Sequence, residues 1–217
     1  MYARKLTTEL SARDCRGLKQ ANAHAREIGY PLNTLVTVSP YPGSLPTAGA
    51  RSADLNRLLA YLRMWMLRHY GAPLTAVWVW HSDVTGRNPH VHVFLHCPPR
   101  GRERLSRALV PLYPPSVADV RPGSDIRKPH HSGYWGSTLD YLCRFKSQQA
   151  FWADRGKTYR ASVRDENGRR RGIKSPILGK RWGCSRNISQ RAIEEYWEAK
   201  AQECRSFIAS SRTVARC

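Results

Sequence analysis

The segment Asn88-Pro89-His90-Val91-His92-Val93-Phe94-Leu95-His96 places two imidazoles two residues apart inside an apolar run. In a strand, residues i and i+2 point to one face, so His90 and His92 present neighbouring rings. His96 shares that parity but lies roughly 13 Å beyond His92 at ~3.3 Å per residue, too far to bind the same ion. A preceding strand ending at His81 brings a third ring opposite His90 or His92 if the intervening turn sets that register. Directly opposed side chains share a face, with Cβ atoms about 5 Å apart. Asp83 has the same parity as His81 and is the alternative third ligand. Three such donors bind a divalent ion and leave positions open for water or a phosphate oxygen. His24, His69, His130 and His131 read as isolated polar surface groups or satisfied core groups.

A metal on a basic protein can polarise a scissile phosphate while another group attacks phosphorus. Tyr141 is a candidate for that group. Its phenol is a poor nucleophile when protonated, and nearby cations (the metal, Arg144, Lys146) favour the tyrosinate. On a helix Arg144 falls on nearly the same face as Tyr141, whereas Lys146 is rotated away. From the helix alone, a nucleophile and one more core aromatic describe Tyr141 equally well.

These side chains need elements to position them. Residues 8–28 carry helical spacing up to Gly29, and the alternating β-branched run 33–38 predicts a strand. Pro40, Pro42 and Gly43 end it. From Ser52 to Tyr70 apolar residues recur at helical spacing, closed by Gly71 and Pro73. Residues 74–81 and 90–96 form a hairpin around the turn formers of 82–89. A short basic helix is expected over 101–112 and a short strand over 117–121. The order strand, helix, strand, strand, helix, strand is the split βαβ, ferredoxin-like pattern: an α+β fold with an antiparallel sheet and helices on one face. Several nucleic-acid modules share it, so the fold alone does not decide function. Ser137-Thr138-Leu139-Asp140 resembles a capping box opening the helix of Tyr141. A second hairpin is expected over 158–175 around Asn167-Gly168, and a last amphipathic helix over about 189–209. The chain divides on this basis into an N-terminal helix packing on the domain (1–32), a catalytic domain (33–152) and a basic hairpin with C-terminal helix (153–217).

Charge points to the partner. Thirty-six Lys and Arg against sixteen Asp and Glu give a net charge of +20, which makes nucleic acid the leading partner class. No apolar run approaches the ~20 residues needed to span a bilayer. Six scattered cysteines without a CxxC pair, and an N-terminus without an apolar signal region, predict reduced thiols in a cytoplasm. Between Arg155 and Arg186 there are eleven Lys and Arg and two acidic residues. Arg169, Arg170 and Arg171 follow the expected turn, and with Lys180, Arg181 and Arg186 they are the candidate nucleic-acid contacts. A solvated charged hairpin is the blander account of that stretch. Trp182 and Tyr159 could stack bases or pack in the core.

His90-Val91-His92 in its apolar strand resembles the His-hydrophobe-His motif of the HUH endonucleases: rolling-circle replication initiators, relaxases and related transposases. Leu35-Val36-Thr37-Val38 resembles the family's first strand motif, and Tyr141-Leu142-Cys143-Arg144 its Tyr-x-x-Lys motif. Residues 179–187 are similar to the closing motif of replication-associated proteins in bacterial mobile elements and phages. Together these stretches cover about residues 33–190. The resemblance implies an HUH-type fold and metal-dependent nicking and rejoining of single-stranded DNA. It also implies a 5′-phosphotyrosine on Tyr141 and initiation of rolling-circle replication with a host helicase and polymerase. It puts His81 where many members carry a glutamate ligand. Mg²⁺ or Mn²⁺ is the expected ion, and Zn²⁺ also suits three histidines. Arg144 departs from the family's lysine: it keeps the charge but does not exchange a proton near neutral pH. One tyrosine resembles the single-tyrosine enzymes, with Tyr134, outside the expected helix, as a second candidate. A relaxase or transposase would share the chemistry, and a non-enzymatic nucleic-acid-binding module would need none of it.

Overall fold

A computed structural model describes residues 6–7, 10–41, 46–82, 88–123, 138–143, 177–178 and 181–214. In chain order the elements are β1 (Leu6–Thr7), α1 (Ala12–Glu27), β2 (Thr34–Val38), α2 (Ala48–Tyr70), β3 (Ala76–His81), β4 (His90–Leu95) and α3 (Gly101–Leu109). There follow β5 (Ala118–Pro122), α4 (Thr138–Leu142), β6 (Ile177–Leu178), β7 (Trp182–Cys184), a 3-10 turn at Arg186–Ile188 and α5 (Gln190–Val214).

Local chemistry explains the helix ends. Ser11 caps α1 through a reciprocal capping box with Asp14, which satisfies two otherwise orphaned backbone donors. Thr47 Oγ1 accepts from Ala50 N at the start of α2. Gly71, at φ 61°, closes α2 by donating its N–H to the Leu67 carbonyl. A left-handed residue there suits glycine, which has no Cβ to clash.

The main sheet is α+β in setting, antiparallel in every pairing, and ordered β5-β2-β4-β3-β7. Its first four strands, with α2 and α3 as crossovers, have the split βαβ connectivity. The hairpin sets His81 directly opposite His90. β1 and β6 form a separate two-stranded pairing.

Helices cover both faces, where one covered face was expected. One core lies under α2 and α3 and contains Val36, Trp78, Trp80, Val91, Val93, Leu58, Leu62 and Leu105. The other gathers Leu35, Val77, Val79 and Phe94 under α1 and α4, with Leu18, Leu142 and Ile188. The reason is visible in β3 and β4, whose residues are buried at both parities except for half-buried His90. Such two-sided apolar strands need cover on each side.

The fifth strand corrects the expected boundary at residue 153. β7 pairs with β3 through Val77↔Cys184 and Val79↔Trp182, so it belongs to the central sheet rather than to an appendage. Ser185 N donates to the Ala76 carbonyl and Asn187 Nδ2 to Thr75 Oγ1, extending the seam. Gly183 is required at its position: a Cβ there would lie 2.5 Å from the Trp78 indole. α1 packs on the sheet, and Trp182 Nε1 donates to Asp14 Oδ1 at 2.6 Å, joining α1 to β7. Ser137 and the hairpin around Asn167-Gly168 lie outside the described residues. Among the described residues, no helix is long and apolar enough to cross a membrane.

Candidate metal centre

Odd residues of β3 and even residues of β4 face α1 and α4, so His81, His90 and His92 converge on that side. Their donor nitrogens all lie within 4.8 Å of one another. Ring centroids are 4.9 Å apart for His81–His92 and His90–His92, and 5.7 Å for His81–His90. His81 is fully buried, His92 nearly so, and His90 is half-buried at the outer margin.

Hydrogen bonds set the direction of each ring. His81 Nε2 is 3.1 Å from the Leu142 carbonyl, and His90 Nδ1 is 3.0 Å from the Asn88 carbonyl. A carbonyl only accepts, so the facing nitrogen carries the proton and the other ring nitrogen holds the lone pair. Thr37 Oγ1 meets His92 Nδ1 at 2.8 Å, which turns Nε2 toward the cluster. Each imidazole thus has an outer partner that fixes its orientation, as metal-ligating histidines generally do.

This donor set fits a divalent transition ion. Metal–nitrogen bonds of about 2.0–2.1 Å place neighbouring nitrogens roughly 3.3 Å apart. The rings therefore close by up to ~1.5 Å around an ion, a movement that side-chain rotation supplies. Three protein ligands leave coordination positions open, and the exposed side of His90 is where water or substrate would reach them.

Tyr141 lies against this cluster. Its hydroxyl is 3.4 Å from His92 Nε2, and its ring centroid is 5.1 Å from His92 and 6.2 Å from His81. α4 is held there by three devices. Leu142 and Cys143 are fully buried in the second core. Thr138 Oγ1 donates to the Gly123 carbonyl just after β5. The Leu142 carbonyl receives the His81 proton, so the tyrosine helix and the ligand cluster share a hydrogen bond.

Other expected residues fare differently. Arg181 was read as a surface phosphate contact, but it is 4% exposed. Its backbone carbonyl accepts from Trp80 N and its Nη1 reaches the Trp80 carbonyl at 3.4 Å. Leading into β7, it is drawn against β3, and its guanidinium is buried beside that strand. Arg186 is exposed. His96 is used elsewhere, with Nδ1 2.9 Å from the Pro31 carbonyl. His24, read as a polar surface group or a satisfied core group, is buried, and its Nδ1 has no hydrogen-bond partner among the described residues. Asp83, Tyr134, Arg144, Lys146, Arg169, Arg170, Arg171 and Lys180 lie outside the described residues.

Thr37 was missed as a site residue. It is the one polar position within Leu35-Val36-Thr37-Val38, but its meaning depends on the register that sets it opposite His92.

The chain matches no family model, no curated protein and no solved structure.

Proposed function

We propose that this protein is a metal-dependent endonuclease that nicks single-stranded DNA through Tyr141, in the manner of a rolling-circle replication initiator. The observation that carries this reading is the 3.4 Å approach of the Tyr141 hydroxyl to His92 Nε2, beside three convergent imidazoles. A cluster built only for packing has no use for a phenol hydroxyl at its rim.

A divalent ion held by His81, His90 and His92 would act as a Lewis acid toward the scissile phosphate. The chain's own groups then do the following. Tyr141 supplies the nucleophilic oxygen, and its phenolic proton passes to solvent. The Tyr–O–P bond forms as the P–O3′ bond breaks, and the departing 3′ oxygen takes up a proton. One phosphodiester is exchanged for another, so the bond is conserved for rejoining. Thr37 and the Leu142 carbonyl keep the imidazoles aimed while this occurs. The net charge of +20 attracts the polyanionic substrate. In this reading a host helicase and polymerase would supply strand opening and synthesis.

The test uses a randomised single-stranded DNA pool labelled at the 3′ end, incubated with protein and Mn²⁺ or Mg²⁺. A labelled protein–DNA adduct on a denaturing gel is expected for the wild type and not for Tyr141→Phe. An adduct that persists in Tyr141→Phe, or that forms equally well in excess EDTA, refutes the assignment.

A further inference from the structure

The face of the sheet opposite the histidines carries a feature the proposed chemistry does not use. There α2 and α3 lie side by side over the first core, and Tyr61 of α2 donates to the Ala108 carbonyl of α3. A shallow cavity of about 260 Å³ opens between them, lined by Trp65, His69, Arg104, Arg107 and Ala108. Arg104 and Arg107 sit at i and i+3 on α3, one turn apart on the side that faces the cavity, and Arg100 caps the helix just before it. All three are exposed, as is His69, which lines the cavity from α2, and Arg68 beside it in sequence. The one acidic residue of α3, Glu103, is the i−4 neighbour of Arg107 and does not line the cavity.

We infer that the α2–α3 groove is a second nucleic-acid surface, one that grips the phosphate backbone of duplex DNA without reading its sequence. The charge is arginine throughout: residues 46–123 contain no lysine. Guanidinium forks pair with phosphate oxygens two bonds at a time, which an ammonium does not do. The groove offers little for bases to stack on, because Trp65 is only 6% exposed and forms the floor. Single-strand binders rely on such stacking, whereas a duplex keeps its bases to itself and presents phosphates. An anionic lipid surface is the competing source of phosphate. It wants a row of exposed large apolar side chains beside the cations; Met64 and Leu67 of α2 and Val110 after α3 are exposed, but none of them lines the cavity.

The experiment measures binding of a random-sequence 20-base-pair duplex by fluorescence anisotropy from 0.05 to 0.3 M salt. EDTA is present throughout, so the result does not depend on cleavage. Arg104→Gln/Arg107→Gln removes two cations from exposed positions with little change in helix propensity, and a thermal melt checks that the fold is kept. Loss of two phosphate contacts lowers the slope of log K against log salt by about 1.8 and weakens binding about 30-fold at 0.15 M salt. Unchanged slope and affinity for the duplex overturn the inference. They do so equally if the same variant loses binding to a single strand or to phosphatidylglycerol vesicles, since those outcomes assign the groove to another partner.

Discussion

Thr37→Val removes a hydroxyl and little else, because valine keeps the shape and the strand preference of threonine. In the wild type, Thr37 Oγ1 lies 2.8 Å from His92 Nδ1, and the two residues are register partners across β2 and β4. When Nε2 of His92 binds an ion, the proton must sit on Nδ1. With valine at 37 that N–H faces an apolar group, and His92 is only 2% exposed, so water does not replace the acceptor. Without metal, the neutral ring escapes the penalty by moving its proton to Nε2, toward the Tyr141 hydroxyl. The cost of an unsatisfied buried donor, about 1–3 kcal/mol, therefore falls on the metal-bound state. That corresponds to a roughly 5- to 150-fold weaker Kd, in line with the ~10–100-fold effect of other outer partners of metal ligands. Competition for Zn²⁺ or Mn²⁺ against a chromophoric chelator reads the change directly, and Thr37→Ser should restore most of the affinity. A Thr37→Val protein that binds metal like wild type refutes the reasoning, as does an equal loss in the serine variant.

Three further outcomes follow from the packing. Asp14→Asn replaces a carboxylate that accepts from Ser11 and Trp182. It should cost about 1–2 kcal/mol, or roughly 2–8 °C in a thermal melt. Burial works to raise the Asp14 pKa, but the Ser11 and Trp182 hydrogen bonds outweigh it and hold the carboxyl below its usual range. Its stabilisation is then present above pH ~4 and lost as pH falls through the folded value, a loss that acid titration of Asp14→Asn should lack. His24, packed at 5.0 Å against Tyr196 of α5, has its pKa lowered by burial against a smaller opposing effect of Glu27. Because the folded state favours the neutral ring, stability should be full above pH ~6.5 and decline as pH drops from there; His24→Phe should flatten that decline in urea titrations between pH 7 and 5. Gly183→Ala drives a methyl into the Trp78 indole and should cost about 1–3 kcal/mol, with unchanged denaturation midpoints counting against the close β3–β7 contact.

Much of the site was legible because strand parity is strict. His90 and His92 had to share a face once the segment was a strand, and His81 joined them once the register was known. That register is seen in the β3–β4 pairing, which the composition of the intervening segment does not dimension. Tyr141 is a different case: a five-residue helix is brought to the cluster by Leu142, Cys143 and Thr138, all contacts distant in sequence. β7 escaped notice because Trp182-Gly183-Cys184 has a glycine where a strand wants a side chain, and the Trp78 ring that demands it is over a hundred residues earlier. Arg181 misled for a related reason, since charge predicts exposure except where a neighbouring strand captures the side chain.

The β3–β7 seam also bears on how the molecule is made. During synthesis β3 can pair with β4 as soon as the hairpin emerges, but its other margin waits for residues 182–184. For about a hundred residues of elongation, a hydrophobic strand carrying Trp78 and His81 presents unpaired amides to its surroundings, a template for joining the wrong chain. A ribosome that stalls before Trp182 therefore leaves a nascent chain with a sticky flank beside a half-built histidine cluster. Arrival of β7 is what covers that margin of β3 and leaves a three-residue strand at the edge instead.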